Sequence, residues 1–143
     1  MNFTVKNFDE LSTRELYEIL RLRSEIFVVE QNCAYQDIDE KDYDSLHVFC
    51  ESEGRVTACL RIFMREEGVA QIGRVVTLKH GTGLGGKLLK AGVELTRERF
   101  PANSIFIEAQ CYATGFYARE GFQICTEEFL EDGIPHVGMR LEL

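Results

Sequence analysis

The sequence predicts an α/β fold built on one mixed β-sheet with helices on its faces. Three observations carry this. Strand-like stretches separated by glycine turns follow one another between residues 47 and 78, as in a meander. A glycine-rich loop at 81–86 then joins a strand to a helix. Further apolar strand-like stretches follow that helix, so the later half of the chain reads as βαβ units.

Taken in order, Phe3 to Phe8 reads as a short strand. Ser12-Thr13-Arg14-Glu15 is a capping-box sequence, with the acid three residues after the serine. It opens a helix expected to reach about Glu25, on which Leu16, Ile19, Leu20 and Arg23 repeat at helical spacing. Residues 27–45 read as irregular and acidic. His47 to Glu51 and Val56 to Met64 read as strands joined near Glu53-Gly54, a hairpin signal. A second turn falls near Glu66-Glu67-Gly68, before a strand from Ala70 to Leu78. The helix after the glycine loop runs to about Arg99 and stops at Pro101. Ile105 to Ala109 is an apolar strand, expected to lie parallel to the strand before the loop. A short helix from Ala113 to Glu120 stops at Gly121. Phe122 to Thr126 and Val137 to Leu141 finish as strands. The predicted order is β-α-β-β-β-α-β-α-β-β.

Size and charge narrow the function. A chain of 143 residues with 45% apolar content is expected to form one domain with its own core. The net charge of −8 argues against sequence-independent nucleic-acid binding. No apolar run is long enough to span a bilayer, and MNFTVKNFDE lacks the basic and apolar regions of a signal peptide. Cys33, Cys50, Cys59, Cys111 and Cys125 form no CxxC pair, so reduced thiols in a cytoplasm are expected. No Cys/His cluster has zinc-ligand spacing, and no metal is expected. Asp37, Asp39, Asp42 and Asp44 imitate a calcium loop, but Asp42 stands where such a loop requires glycine. They read as a solvated acidic loop that attracts a cationic partner.

Gly81-Thr82-Gly83-Leu84-Gly85-Gly86-Lys87 is the most informative stretch. Glycines let backbone N–H groups approach a phosphate, and a helix N-terminus adds a favourable field. Three anions suit it. Gly81, Gly83 and Gly86 spell a dinucleotide fingerprint, with Glu108 closing the next strand. That fingerprint belongs to the first strand of a doubly wound sheet, whereas this one follows a meander. Gly81, Gly86 and Lys87 fit a P-loop, but Leu88 replaces its magnesium-binding hydroxyl. The third reading is a coenzyme A loop.

The chain resembles the GNAT superfamily of N-acetyltransferases, whose loop reads Q/R-x-x-G-x-G/A. Gly83 and Gly85 match its glycines, and His80 falls where the superfamily has Gln or Arg. Gln110, Ala113, Tyr117 and Gly121-Phe122 match its second motif. Phe27-Val28-Val29-Glu30-Gln31-Asn32-Cys33, Gly73-Arg74-Val75-Val76 and Glu131-Asp132-Gly133-Ile134-Pro135-His136-Val137-Gly138-Met139 resemble the ElaA-like branch.

The resemblance implies acetyl-coenzyme A as co-substrate and direct attack by an amine. The amides of 81–87 would take the pyrophosphate, with Gln110 also on the cofactor side. Val75, Val76 and Thr77 would pair with the pantetheine arm as an added strand, and an amide there would polarise the thioester. Tyr117 is the candidate acid for the leaving thiolate and Glu108 the candidate base for the amine. Phe27, Glu30, Gln31 and His136 are candidate acceptor-pocket residues. The acceptor's identity is open: a small amine, an amino sugar, an aminoglycoside-like compound, or a peptide lysine or N-terminus. The oligomeric state is open too, a homodimer included. An inactive or sensory coenzyme A-binding domain, and less favourably a nicotinamide-dependent reductase, are the alternatives.

Overall fold

The computed structural model describes residues 2–31 and 36–143. Asn32 and Cys33, which end the first ElaA-like segment, lie outside the described residues. Strands β1 (Thr4–Asn7), β2 (Leu46–Ser52), β3 (Arg55–Glu66) and β4 (Gly68–Thr77) form an antiparallel meander. Helix α2 (Leu84–Arg99) carries the chain to β5 (Ala102–Gln110), which lies parallel to β4 as expected. Strand β8 (Ile134–Glu142) adds antiparallel to β5, and β6 (Gln123–Ile124) and β7 (Phe129–Glu131) pair with β8. The sheet has eight strands in the order β1-β2-β3-β4-β5-β8-β6, with β7 also on β8.

Local chemistry sets these elements. Glu53 and Gly54 both take left-handed backbone and close the β2–β3 hairpin in two residues. Asp132 and Gly133 do the same between β7 and β8. The Asp-Gly pair was legible as a hairpin signal, and it adds a strand the sequence reading lacked. The strand expected over 122–126 shrinks to Gln123–Ile124. Helix α1 (Thr13–Arg23) opens on the expected box: Ser12 Oγ accepts from Glu15 N at 3.0 Å, and Glu15 accepts from Ser12 N at 2.8 Å.

The reading of 27–45 as irregular holds at 36–40 but is overturned at 27–30 and 41–44. The chain leaves α1 directly into a π-helix, Ser24–Glu30, closed by Gln31 N–H donating to Ile26 O at 3.0 Å. A wider turn breaks the 3.6-residue period, and the run Phe27-Val28-Val29 has no strong α preference. That is why helical spacing is lost just where the helix continues. A 3-10 turn follows at Lys41–Asp44.

The acidic loop is exposed at Asp44, as expected, but Asp37, Asp39 and Asp42 are no solvated patch. Arg23 Nη1 donates to Asp42 at 2.7 Å and Arg23 Nε to Asp37 at 2.9 Å. Arg61 donates from both terminal nitrogens to Asp39 at 2.7 Å, and from Nη1 to Asp42 at 3.1 Å. Arg74 reaches Asp37 at 2.8 Å and Asp39 at 3.3 Å. Arg23 is 1% exposed and Arg61 3%. The carboxylates are spent on these cations, so they do not form a free seat for a cationic partner.

The sheet buries both faces. Leu88, Leu89 and Val93 of α2 pack on Val48, Leu60, Ile62, Ile72, Ile105 and Ile107. Ile19, Leu22 and Ile26 cover Phe49, Val56, Cys59 and Val76 on the other face. Cys50, Cys59, Cys111 and Cys125 are free thiols, and burial pushes Cys59 up to about 12.

One irregularity positions the site. Cys59 pairs with Val76 and Arg61 with Gly73, so Leu60 faces both Arg74 and Val75 across a β-bulge. Arg74 takes φ 52°, a left-handed conformation that costs a non-glycine residue about 1–3 kcal/mol. The parallel β4–β5 pairing covers Gly68–Gln71 against Ala102–Phe106 and then gives way to a cavity.

Removing Asp42 leaves Arg23 and Arg61 buried without one shared partner. Asp42→Ala is expected to cost about 3–5 kcal/mol in chemical denaturation. Burial pushes Asp39 up, yet hydrogen bonds and charge from Arg61, then Arg74, hold it at about 2. Its folded value is depressed, so its contribution is complete above its ordinary 3.8 and lost as pH falls towards about 2. Stability measured across that window should fall on acidification in the wild type and fall less in Asp39→Asn.

Candidate active site

The cavity between the parting strands has a volume of about 530 Å³. Val75, Val76 and Thr77 of β4 form one side, and Ile107, Glu108 and Gln110 of β5 the other. Ile26, Phe27 and Gln31 close it from the π-helix. Phe116 and Tyr117 of α3 (Thr114–Ala118) close it beneath β5, and Glu131, Ile134 and His136 come from the β7–β8 hairpin. Residues separated by most of the chain in sequence thus share one space.

The glycine loop meets the cavity at His80 and Gly85. Gly81 and Gly83 have φ 76° and 80°, which side-chain-bearing residues rarely adopt. Gly83 is the N-cap of α2 and offers no side-chain acceptor. Thr82 Oγ1 accepts from Leu84 N at 3.3 Å, while the amides of Gly85 and Gly86 belong to a first turn with no intrahelical partner. Nothing stands within 4 Å of a Cβ built at Gly81, Gly83 or Gly86, so that side is open to a ligand. A smaller cavity of about 260 Å³ lies beside it, with Thr82, Leu84, Lys79 and Lys87 in its lining. The loop residues therefore divide between two adjoining spaces.

His80 Nε2 lies 2.6 Å from Glu30 Oε1. The end of the π-helix is thereby tied to the residue just before the glycine loop. Glu30 reaches the cavity only through this pair. Farther in, Gln110 Nε2 donates to Gln31 Oε1 at 3.0 Å, and Gln31 Nε2 donates to the Tyr112 hydroxyl at 3.3 Å. This chain pins the π-helix end across the tip of β5.

Tyr117 sits edge-on to Phe116 and Phe122, with centroids 5.0 and 6.1 Å away. Among the described residues no partner holds its hydroxyl. Burial, and then Tyr112, push its pKa up, so the phenol stays protonated across the neutral range. It lines the cavity.

Glu108 and Gln110 alternate with the core residues Ile107 and Ala109 along β5, which turns them to the opposite face. Arg65 Nη1 stands 3.5 Å from Glu108 Oε1 and lies 4.3 Å over the Phe106 ring. Glu131, absent from the sequence-based candidates, lines the same cavity as Glu108, and burial first, then the Glu108 charge, push its carboxyl up. His136 Nε2 is 3.7 Å from Glu131 Oε2, and the imidazole stacks on Phe129 at 5.9 Å. The signal for Glu131 was the Asp132-Gly133 turn, which folds β7 back onto β8 and swings it over Glu108. Among the described residues no group of three or more His, Cys, Asp or Glu is placed to hold a metal.

The chain matches the family described as "Acetyltransferase (GNAT) domain" over residues 13–143. This chain belongs to the GNAT acetyltransferase family. Of the three readings of the glycine loop, the coenzyme A loop is the one that goes with this family. Among curated relatives, a UPF0039 protein of Schizosaccharomyces pombe is 39% identical over 147 aligned residues, covering all of this GNAT chain and 98% of the relative. The crystal structure of Escherichia coli ElaA superposes with TM-score 0.93 at 35% identity, covering 99% of this chain and 100% of that one. An acyl-CoA N-acyltransferase from Pseudomonas aeruginosa superposes with TM-score 0.91 at 38% identity, covering 98% and 99%. The ElaA-like resemblance read from the motifs therefore holds along the whole GNAT chain.

A valine at Gly83 meets open space but must keep φ near 80°, where a β-branched residue is strained. Gly83→Val is expected to weaken acyl-CoA binding at least tenfold in calorimetry, with the thermal unfolding midpoint falling by only a few degrees.

Proposed function

We propose that this chain moves an acetyl group from acetyl-CoA to a primary amine, by direct attack within a ternary complex in a single catalytic domain. The observation that carries the reading is the shape and charge of the cavity. It runs from His80 and Gly85 at the glycine loop, between two parted strand edges, to the carboxyl groups of Glu108 and Glu131, and Lys79 and Lys87 line a second, smaller cavity at the same loop. An acyl-CoA has the matching order: an anionic pyrophosphate, an amide-rich arm and a thioester that must meet an amine. The name of the Pseudomonas aeruginosa neighbour, an acyl-CoA N-acyltransferase, supports the same order of parts.

Each part has a physical task. The amides of the 81–87 loop bind the pyrophosphate, where the α2 field and two ammonium groups add to it. The edge of β4 at Val75–Thr77 takes the pantetheine arm as an added strand. The bulge at Arg74 turns the local backbone, which aims an amide at the thioester oxygen as charge builds there. Gln110 and His80 border the arm. The acceptor enters over Phe27, Gln31 and His136, with Glu30 holding His80 at the rim.

The amine arrives as an ammonium ion and must lose a proton before it attacks. Glu108 receives that proton. The nitrogen then adds to the thioester carbon, the carbon–sulfur bond breaks, and Tyr117 protonates the departing sulfur. Tyr117 recovers its proton from the nitrogen, leaving a neutral amide. A small molecule or an exposed peptide amine satisfies this chemistry equally.

Calorimetry with acetyl-CoA, NADH and ATP tests the cofactor, and thiol release over a panel of amines tests the transfer. Acetyl-CoA alone should bind. Tyr117→Phe should lower turnover about 10²-fold with acetyl-CoA affinity unchanged. Preference for NADH or ATP would overturn the reading. Acetyl-CoA binding with no transfer to any amine would assign a sensory domain instead.

A further inference from the structure

The β7–β8 hairpin brings a second carboxyl and an imidazole to the cavity that holds the base proposed above. Glu131 ends β7 and lines the same cavity as Glu108 of β5. His136 is 8% exposed and lines the cavity. Its Nδ1 is 2.7 Å from the Ile134 carbonyl oxygen. A carbonyl only accepts, so Nδ1 carries a proton and this bond fixes the ring's orientation. Nε2 stands 3.7 Å from Glu131 Oε2 and has no hydrogen-bond partner among the described residues. A ring held through one nitrogen, with the other beside a carboxyl group, is an arrangement that can pass a proton.

We propose, on the basis of the transferase reading, that Glu108, Glu131 and His136 form one proton-accepting unit for the acceptor amine. The ionised pair docks the ammonium ion. One N–H bond breaks, and its proton becomes shared between Glu108 and Glu131 in a carboxyl–carboxylate hydrogen bond. The freed lone pair attacks the thioester. The shared proton then leaves from Glu131 to His136 Nε2 and on to solvent, which restores the ionised pair. Of the ammonium's three protons, one takes this route, one ends on the thiol through Tyr117 and one stays on the amide.

Two carboxylates make a stronger base than one because the first proton relieves their repulsion. Burial is the largest cause raising Glu131, and the Glu108 charge and hydrogen bond follow, while His136 acts against them. The charged groups around Glu131 are Glu108 from β5, His136 from β8 and Asp132 from the turn. Arg65 of β3 stands beyond them on Glu108 and offsets part of the pair's charge. The acceptor class that fits is a cationic primary amine. A neutral amide or hydroxyl brings no charge to dock and no proton of suitable acidity.

Carboxyl-carbon NMR titration of the full chain tests the pair without turnover. Glu131 should titrate above the ordinary glutamate range and return towards it in Glu108→Gln. In kinetics, Glu131→Gln should lower kcat/KM for the amine about 10²-fold at pH 7 with acetyl-CoA affinity unchanged. The deficit should shrink towards pH 10, where a free amine with pKa near about 10.4 loses its own proton. His136→Gln should show a smaller deficit of the same pH dependence. Ordinary titration of Glu131, no deficit, or a deficit equal at all pH values would each overturn the proposal. If the wild-type chain fails to bind acetyl-CoA or to transfer its acetyl group, the transferase reading fails and the base assignment falls with it. If transfer is intact and the variants behave like wild type, only the proton unit is lost.

Discussion

Three arginines paired with three aspartates, with Arg23, Arg61 and Asp42 buried, decide where this sheet opens. Arg23 comes from α1, Arg61 from β3 and Arg74 from β4, and all three converge on Asp37, Asp39 and Asp42. An ion in an apolar interior is costly, so none of the six tolerates losing its partner. The network therefore fixes the relative positions of one helix, two strands and the segment that covers them. Arg74 meets this demand from a left-handed backbone position. The strain is local, and the guanidinium contacts to Asp37 and Asp39 hold it in place. Arg61 keeps one buried nitrogen, Nε, without a hydrogen-bond partner among the described residues.

The bulge that follows from Arg74 has a consequence for the neighbouring strand. A bulged strand bends and twists away from its partner. Here β4 keeps its pairing with β5 as far as Gln71 and Phe106 and then departs. Two strand edges are left facing each other across a gap, each carrying backbone groups that require hydrogen bonds. A ligand with its own alternating amide groups can satisfy them, and in the proposed function the pantetheine arm is that ligand. The site is thus the place where the sheet is prevented from closing.

Much of this was legible in the sequence, and the remainder failed for identifiable reasons. Ser12 and Glu15, Glu53-Gly54, the glycine loop and Pro101 act through short-range chemistry, and each appeared where expected. Phe27, Gln31, Glu108, Gln110, Tyr117 and His136 share one cavity, as the motif resemblance implied. The π-helix escaped because its period differs from the one used to detect helices. Asp37, Asp39 and Asp42 looked solvated because their cations stand on three other elements, and nothing in a linear string pairs Asp42 with Arg23. Glu131 escaped because its role arises only when β7 folds back on β8. The Asp132-Gly133 pair announces that turn, but not what the strand before it will face.

The charge distribution follows the same logic. The chain carries a net charge of −8, yet from Lys79 to Lys90 it has three lysines and no acid. Those lysines accompany a helix N-terminus, where an anion gains from both. At the opposite end of the cavity Glu108 and Glu131 outnumber Arg65. A reaction between an anionic cofactor and a cationic acceptor needs the two charges kept apart in binding and brought together only at the reacting atoms. Placing the cationic pole on a loop before α2 and the acidic pole on β5 and β7 achieves this with rigid elements. In the proposed function the thioester lies between them, beside the bulge in β4, where a backbone amide meets the oxygen that gains charge.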